Sequence, residues 1–136
     1  MSQENVESFQ RAIEAYNRRD FDVVLEFLDP EIEWHPGIQA RLGGEGAVYR
    51  GHAGARELFR DVTEVFDTFD IELTEIRDLG TERLVATGRL WTRGRGSEAK
   101  TESPVGFLVD GSNGKAIRIR TYLDPRDALE AVGLGE

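Results

Sequence analysis

The stretch AIEAYNRRDFDVVLEFLDPEIEWHPG, residues 12–37, carries most of the information about the fold. Its apolar residues recur at helical spacing on both sides of the polar turn 17–20, which predicts two consecutive helices. A strand over 32–35 follows and carries Trp34 and His35 into a glycine-rich segment. An aromatic ring and a titratable ring at a strand end, in front of glycines, are typical of the wall and mouth of a pocket.

Composition limits the class of protein and the kind of partner. The chain has 136 residues, enough for one domain over 1–136, and its formal net charge is −9. This charge would repel phosphates and argues against a nucleic-acid partner. No apolar run approaches the length of a membrane span and the N-terminus is polar, so the prediction is a cytoplasmic protein with no membrane partner. With no cysteine, a disulfide framework and thiolate chemistry are excluded.

The rest of the chain predicts an α+β fold. A third helix over 51–66 follows a glycine-rich loop over 36–50, and the apolar period then changes from helical spacing to two. Strands are predicted from residue 69 onward and over three further ranges: 82–93, 98–110 and 115–123. Asp124 then opens a last short helix. Helices first and antiparallel strands afterwards predict a curved sheet that wraps around the helices and encloses a pocket.

Four motifs give the chain a resemblance to a known family: AIEAYNRRD, IEWHPG, VYRGHAGARELF and RTYLDPRDALEAVGL. With the order of the elements, they resemble the SnoaL-like branch of the nuclear transport factor 2-like (NTF2-like) superfamily. The resemblance implies a cone in which the N-terminal helices pack in a strongly curved mixed or antiparallel sheet, and it implies homodimers formed through the sheet. The superfamily carries isomerases, cyclases, hydrolases and binding modules, so it predicts the fold better than the activity.

The catalytic groups of related enzymes are absent at the corresponding positions. By resemblance to ketosteroid isomerase, Trp34 replaces the carboxylate base, Gly106 the second aspartate and Ala12 the tyrosine. Arg89 matches the arginine of limonene epoxide hydrolase, but Trp91 and Thr121 replace its two aspartates. The acid/base aspartate of the polyketide cyclase SnoaL also falls close to Thr121. None of these mechanisms transfers intact.

Two residues are the candidates for catalysis, and each has a second interpretation. His35 has a side chain suited to proton transfer near neutral pH, or it is a partly exposed ring bonded to the adjoining loop. Arg89 stabilises a developing negative charge in the pocket, or it pairs with a nearby carboxylate such as Glu102 across the sheet or reaches solvent. Strand alternation places Arg89 and Trp91 on one face, and the resemblance places Trp34 across the same cavity. The sequence therefore predicts that these three residues line one cavity.

The predicted ligand-binding set combines these residues with others that the helices and strands direct to the same cavity. Tyr16 ends the apolar stripe of the first helix, Tyr49 lies at the end of the glycine-rich loop, and Phe59 faces inward from the third helix. The complete set is Tyr16, Trp34, Tyr49, Phe59, Thr87, Arg89, Trp91 and Thr121.

Two functions compete. The first is a small-molecule-binding protein with an apolar aromatic pocket, either without catalysis or with isomerase, cyclase or hydrolase chemistry on a hydrophobic carbonyl compound. The second is a non-catalytic dimerising module whose cavity is filled by its own side chains. The expected partners are a small hydrophobic molecule and a second copy of the chain. No histidine–carboxylate cluster has ligand spacing, so neither a metal nor a cofactor is predicted.

Overall fold

The structure, a computed structural model, describes residues 2–36 and 48–133. Its elements are α1 Ser2–Asn17, α2 Phe21–Phe27, β1 Leu28–His35, β2 Tyr49–Arg50, α3 Gly51–Val65, β3 Phe66–Gly80, β4 Arg83–Gly94, β5 Thr101–Ser112, β6 Lys115–Tyr122 and α4 Pro125–Ala131. The predicted α+β fold is confirmed. The centre of the predicted glycine-rich loop, 37–47, lies outside the described residues.

The six strands form one open, mixed sheet in the order β2-β1-β6-β5-β4-β3. Only β1 and β6 pair in parallel, and the other neighbours are antiparallel. The register between β3 and β4 shifts near Leu73 and again near Gly80, and that between β5 and β6 shifts at Asp110. Such bulges bend a strand and increase its twist, so they curve the sheet around the helices. None of the described helices combines the length and apolar character needed to cross a membrane.

Strand β1 begins four residues earlier than predicted, at Leu28 instead of Ile32. The strand therefore includes Pro30. This proline is tolerated there because the pairing with β6 is interrupted between Leu28 and Glu33, and β2 is too short to reach it. A proline without an amide proton therefore removes no ladder hydrogen bond.

The helices α1, α2 and α3 pack on the concave inner face of the sheet, and aromatic rings fill the space between them. Phe21 and Phe59 stack with ring centroids 4.4 Å apart. Tyr16 meets both rings edge-on, at 5.7 and 5.8 Å. Offset and edge contacts of this kind add to the stabilisation from burial. This aromatic cluster forms the floor beneath the candidate site.

The last helix, α4, lies on the opposite, outer face of the sheet. A Cβ added at Gly106 would stand 2.9 Å from the Cβ of Ala128, so the absence of a side chain lets the helix approach β5. Val85 and Leu108, which pair across β4 and β5, are buried on this face. Asp124 caps the helix as predicted, because its carboxylate accepts the backbone N–H of Arg126. The middle of the outer face is thus covered by the chain itself.

The free edge of β3 is held by the polar turn that ends α1. The side-chain amide of Asn17 donates to the carbonyl of Ile71 (2.8 Å) and accepts from its N–H (2.9 Å). Arg19 donates to the carbonyl of Phe69 at 3.1 Å. These side chains occupy backbone groups that an adjacent strand would otherwise bond, so they protect the edge and fix α1 to β3.

Candidate functional site

The two faces of β4 separate the core from the outer surface. Side chains alternate along a strand, and the residues that join the buried core are Leu84, Ala86 and Leu90. The opposite face therefore carries Val85, Thr87, Arg89 and Trp91. This assignment decides which of the predicted residues can reach the interior.

Arg89 lies on the outer face and is 56% exposed, so the prediction that it lines the pocket is wrong. Its guanidinium pairs with the carboxylate of Glu102 at 3.1 Å, which is the second interpretation given above. An ion pair this exposed adds little to stability, because water screens the charges and both side chains lose conformational freedom. Arg89 therefore cannot stabilise charge inside the cavity.

Trp91 and Thr87 share the outer face with Arg89 and are likewise wrongly assigned to the pocket. The indole N–H of Trp91 donates to Glu72 at 3.4 Å, and the Nζ of Lys100 stands 5.7 Å from the indole ring centre. The carbonyl of Thr87 accepts the hydroxyl of Thr74 at 3.1 Å. The sequence contained a signal for this assignment, because the alternate residues 84–92 of β4 carry no charged side chain, whereas the Arg89 face does.

The candidate site is a cavity between α1, α3 and the inner face of the sheet. Its volume, measured as space open to the centre of a water molecule, is ≈ 40 Å³. The lining residues are Tyr16, Trp34, Pro36, Leu58, Val62, Phe69, Ile71, Leu90, Val105, Phe107, Thr121 and Leu123. Three of the predicted ligand-binding residues, Tyr16, Trp34 and Thr121, are therefore brought together. The exposed Leu123 and the half-buried Trp34 stand where the cavity opens.

A second, deeper cavity of ≈ 20 Å³ adjoins the first. The two share four lining residues: Tyr16, Trp34, Ile71 and Phe107. Burial raises the pKa of the Tyr16 phenol well above its ordinary value, so Tyr16 is a neutral hydroxyl at physiological pH. A neutral hydroxyl can donate to or accept from an uncharged oxygen of a ligand.

Phe59 and Tyr49 lie close to these cavities without lining them. The ring of Trp34 meets Phe59 edge-on at 6.0 Å, so Phe59 supports Trp34 from behind. The Tyr49 hydroxyl donates to Asp61 on α3 at 2.8 Å. Burial and this hydrogen bond raise the pKa of Tyr49 to about 12. Both residues hold the wall in place and do not themselves face the cavity.

The side chains of His35 and His52 make their hydrogen bonds away from the cavity. The Nε2 of His35 is 3.4 Å from Glu33, a carboxylate that also accepts from Arg50 at 2.9 Å. Hydrogen bonds from His35 and then Arg50 lower the pKa of Glu33. Glu33 and His35 alternate with Trp34 along β1 and so face outward, as strict alternation predicts. His52 donates from Nε2 to the carbonyl of Leu28 at 2.9 Å. His35 is not placed to act on a molecule in the cavity.

The chemistry available in the cavity is that of an apolar space with few polar groups. No aspartate, glutamate, histidine, lysine or arginine is among its described lining residues. Within residues 2–36 and 48–133, no three His, Asp or Glu side chains gather closely enough to hold a metal ion. The polar groups carried by lining side chains are the hydroxyls of Tyr16 and Thr121 and the indole N–H of Trp34. Such a site can bind and orient a molecule by burial and hydrogen bonding.

Comparison with known families agrees with this geometry. The model of the SnoaL-like domain matches residues 9–121. The chain belongs to the SnoaL-like domain family. No curated protein sequence gives a significant match.

Solved structures show the same fold as this SnoaL-like domain. An NTF2-like protein of unknown function from Burkholderia pseudomallei is 22% identical, with a TM-score of 0.80 over 96% of this chain and 98% of that one. TerC, co-crystallised with polyporic acid, is 24% identical, with a TM-score of 0.77 over 93% and 96% of the two chains. A protein from Jannaschia sp. CCS1, provisionally named a SnoaL-like polyketide cyclase, is 18% identical, with a TM-score of 0.74 over 88% and 85%. At these identities the comparison establishes the fold and not the ligand.

Proposed function

We propose that this SnoaL-like domain binds a small, mostly apolar molecule that carries a hydroxyl or carbonyl oxygen. The observation that carries the proposal is the lining of the cavity, where nine of twelve side chains are hydrocarbon. The hydroxyls of Tyr16 and Thr121 supply hydrogen bonds to the ligand oxygen. An apolar space with a few polar groups is the usual composition of a small-molecule site.

The size of the cavity restricts the ligand. A protein cavity that holds one benzene has a volume of roughly 150 Å³, well above the ≈ 40 Å³ found here. A ring-sized ligand therefore enters only if side chains at the opening move. Leu123, 45% exposed, and the half-buried Trp34 are the ones with room to do so. The first ligands to test are compounds with one or two rings, together with the larger polyporic acid found with TerC.

The proposal is for binding, because the two residues predicted to be catalytic, His35 and Arg89, both face away from the cavity. The co-crystallisation of TerC with polyporic acid supports an oxygenated organic ligand for this fold. A second candidate function is the non-catalytic module with a self-filled cavity. The small volume and the stack of Phe21 on Phe59 favour that alternative.

Isothermal titration calorimetry with cyclohexanone, acetophenone, 2-naphthol and polyporic acid tests the proposal. At least one compound is expected to bind, and Tyr16→Phe and Thr121→Val should each weaken it by about 0.5–1.5 kcal/mol, the range for one hydrogen bond. Thr87→Val, the same change on the outer face, is the matched control and should have no effect. Failure of all four compounds to bind, with the protein folded, would favour the self-filled module.

We also propose that a second copy of the chain packs on the outer face of the sheet. The face carries both charge signs, for example Arg118 beside Glu33 at 3.8 Å, together with the partly exposed Trp91. Arg118, Arg120 and Tyr122 lie on this face, as their pairing with the outer-face positions of β5 indicates. A surface with both signs can be self-complementary about a two-fold axis. Because α4 covers the middle of the face, the contact includes α4 and the strands beside it.

A further inference from the structure

A groove on the far side of the helices shares two lining residues with the deeper cavity. It lies between α1 and α2, beside the turn that joins β5 and β6, and its volume is ≈ 190 Å³. Its walls carry polar side chains, Ser8, Arg11 and Glu26, and its floor is apolar, with Ala12, Val23 and Phe27. The groove is larger than either interior cavity and differs from both in its charge.

Two residues separate the groove from the deeper cavity. Ala12 and Phe27 line both spaces. The deeper cavity in turn shares Tyr16 and Trp34 with the cavity at the opening. Ala12 contributes only a methyl group to the partition, and Phe27 is partly exposed, with its ring 6.1 Å from that of Phe9. A rotation of Phe27 would therefore join the groove to the interior.

The shape of these spaces favours a slender ligand over a broad one. The interior consists of two small adjoining voids of ≈ 40 and ≈ 20 Å³, lined mostly by hydrocarbon. An alkyl chain is narrow and can follow successive small voids, whereas a fused ring system needs one wide space. Each buried methylene improves affinity roughly fourfold, which gives a chain-length dependence that can be measured.

The groove offers a binding position for a negatively charged end. The guanidinium of Arg11 donates from Nη2 to Ser8 Oγ at 3.2 Å. A guanidinium has five N–H donors, so others remain to bind a ligand oxygen. Lys115 donates from Nζ to the carbonyl of Glu26 at 2.7 Å, which brings a second cation to the same wall. Glu26 lines the groove, and the Glu82 carboxylate accepts the N–H of Gly114 at its end (3.2 Å), so the charges nearly balance and the free N–H donors of Arg11 are what an anion would bind. Arginine forks bind carboxylates through two parallel hydrogen bonds.

We propose that the α1–α2 groove binds the carboxylate of a medium-chain fatty acid, whose alkyl chain passes Ala12 and Phe27 into the interior. The inference rests on the proposed function in that the chain occupies the same apolar interior. It adds a second entrance, a ligand class and a head-group site at Arg11. Phe27 is the side chain that moves to admit the chain.

Calorimetric titration of the full chain with octanoate, decanoate and decan-1-ol tests the proposal. Decanoate should bind roughly fifteenfold more tightly than octanoate, because it buries two more methylenes. Arg11→Gln should weaken decanoate at least tenfold and leave decan-1-ol unchanged. Arg18→Gln removes the same charge from an exposed position just past α1 and should change neither.

The outcomes separate this inference from the proposed function. Equal decanoate affinity in Arg11→Gln and wild-type protein would overturn the groove site. Decanoate binding that depends on Thr121 and not on Arg11 would overturn it as well, while leaving the cavity proposal intact. No decanoate binding, with acetophenone or 2-naphthol still bound, would overturn the groove site alone. If Ala12→Phe folds with unchanged urea stability, it should block decanoate and spare the small ketones.

Discussion

Trp34 and Trp91, the two tryptophans of the chain, lie on opposite faces of the sheet. Trp34 pairs with Ile119 in the core and lines both interior cavities. Trp91 pairs with Glu102 on the outer face, next to Lys100. Each face of the sheet therefore carries one tryptophan, and replacing either one leaves a tryptophan reporter on the other face.

Arg89→Ala should leave ligand binding unchanged. The side chain is on the outer face and pairs with the exposed Glu102, so its loss should lower the free energy of unfolding by at most about 1 kcal/mol. Urea denaturation and calorimetric titration of the same preparation measure the two quantities. A tenfold loss of affinity, with stability intact, would show that Arg89 reaches the ligand after all.

Asn17→Ala should destabilise the domain by about 1–3 kcal/mol, because it removes two hydrogen bonds to the backbone of Ile71 and frees the edge of β3. Urea denaturation followed by circular dichroism gives the change. The control is Arg18→Ala, at an exposed residue of the same turn. Its free energy of unfolding should change by no more than about 0.5 kcal/mol, as is usual for surface substitutions. If the two substitutions had equal effects, Asn17 would not hold the edge of β3 through its side-chain hydrogen bonds.

Stability should fall at high pH through the two buried phenols with raised pKa values, Tyr16 and Tyr49, and the contribution of Tyr49 can be measured separately. The pKa of Tyr49 is raised to about 12 in the folded protein, against an ordinary value near 10, so the unfolded chain loses the proton first. The stabilisation is complete below pH 10 and is lost as the pH rises from 10 through 12, at about 1.4 kcal/mol per pH unit for one proton. The free energy of unfolding in urea, measured from pH 8 to 11.5, should fall less steeply for Tyr49→Phe than for wild-type protein. Identical slopes would contradict the role of Tyr49.

The protein should sediment as a homodimer at micromolar concentration, with the outer face of the sheet at the contact. Trp91→Asp places a charge on this face and should shift the equilibrium toward monomer, whereas Glu64→Gln, on an exposed part of α3, should not. Sedimentation velocity distinguishes the species. A wild-type protein that sediments only as monomer would rule out the dimer.

The fold could be predicted from the sequence because its signals are local. The change of apolar period near residue 69 separates helices from strands, and Asp124 marks the start of α4. The hydrogen bonds between the Asn17 side chain and the backbone of Ile71 could not be predicted, since the two residues are 54 positions apart and nothing in either segment indicates that they meet. The start of β1 was misplaced because a proline is tolerated where a strand has no partner.

The site was predicted only in part, for a related reason. At the start of β4 both faces are buried, because α4 covers Val85 on the outer side as fully as the core covers Leu84, and the two faces differ in exposure only from Thr87 onward. Arg89 and Trp91 lie on the Val85 face and were therefore taken for pocket residues. Tyr16, Trp34 and Thr121 do line the interior cavity, and their role in ligand binding stays a prediction.

The most direct test of ligand binding in the interior is a fluorescence titration of the two single-tryptophan variants with acetophenone, or with whichever compound of the panel binds most tightly. Trp91→Phe retains Trp34 alone, and its emission should change saturably, with the dissociation constant that calorimetry gives for wild-type protein. Trp34→Phe retains Trp91 alone, and its emission should show no saturable change. A saturable response from Trp91, with none from Trp34, would contradict the account, because it would place the ligand on the outer face of the sheet.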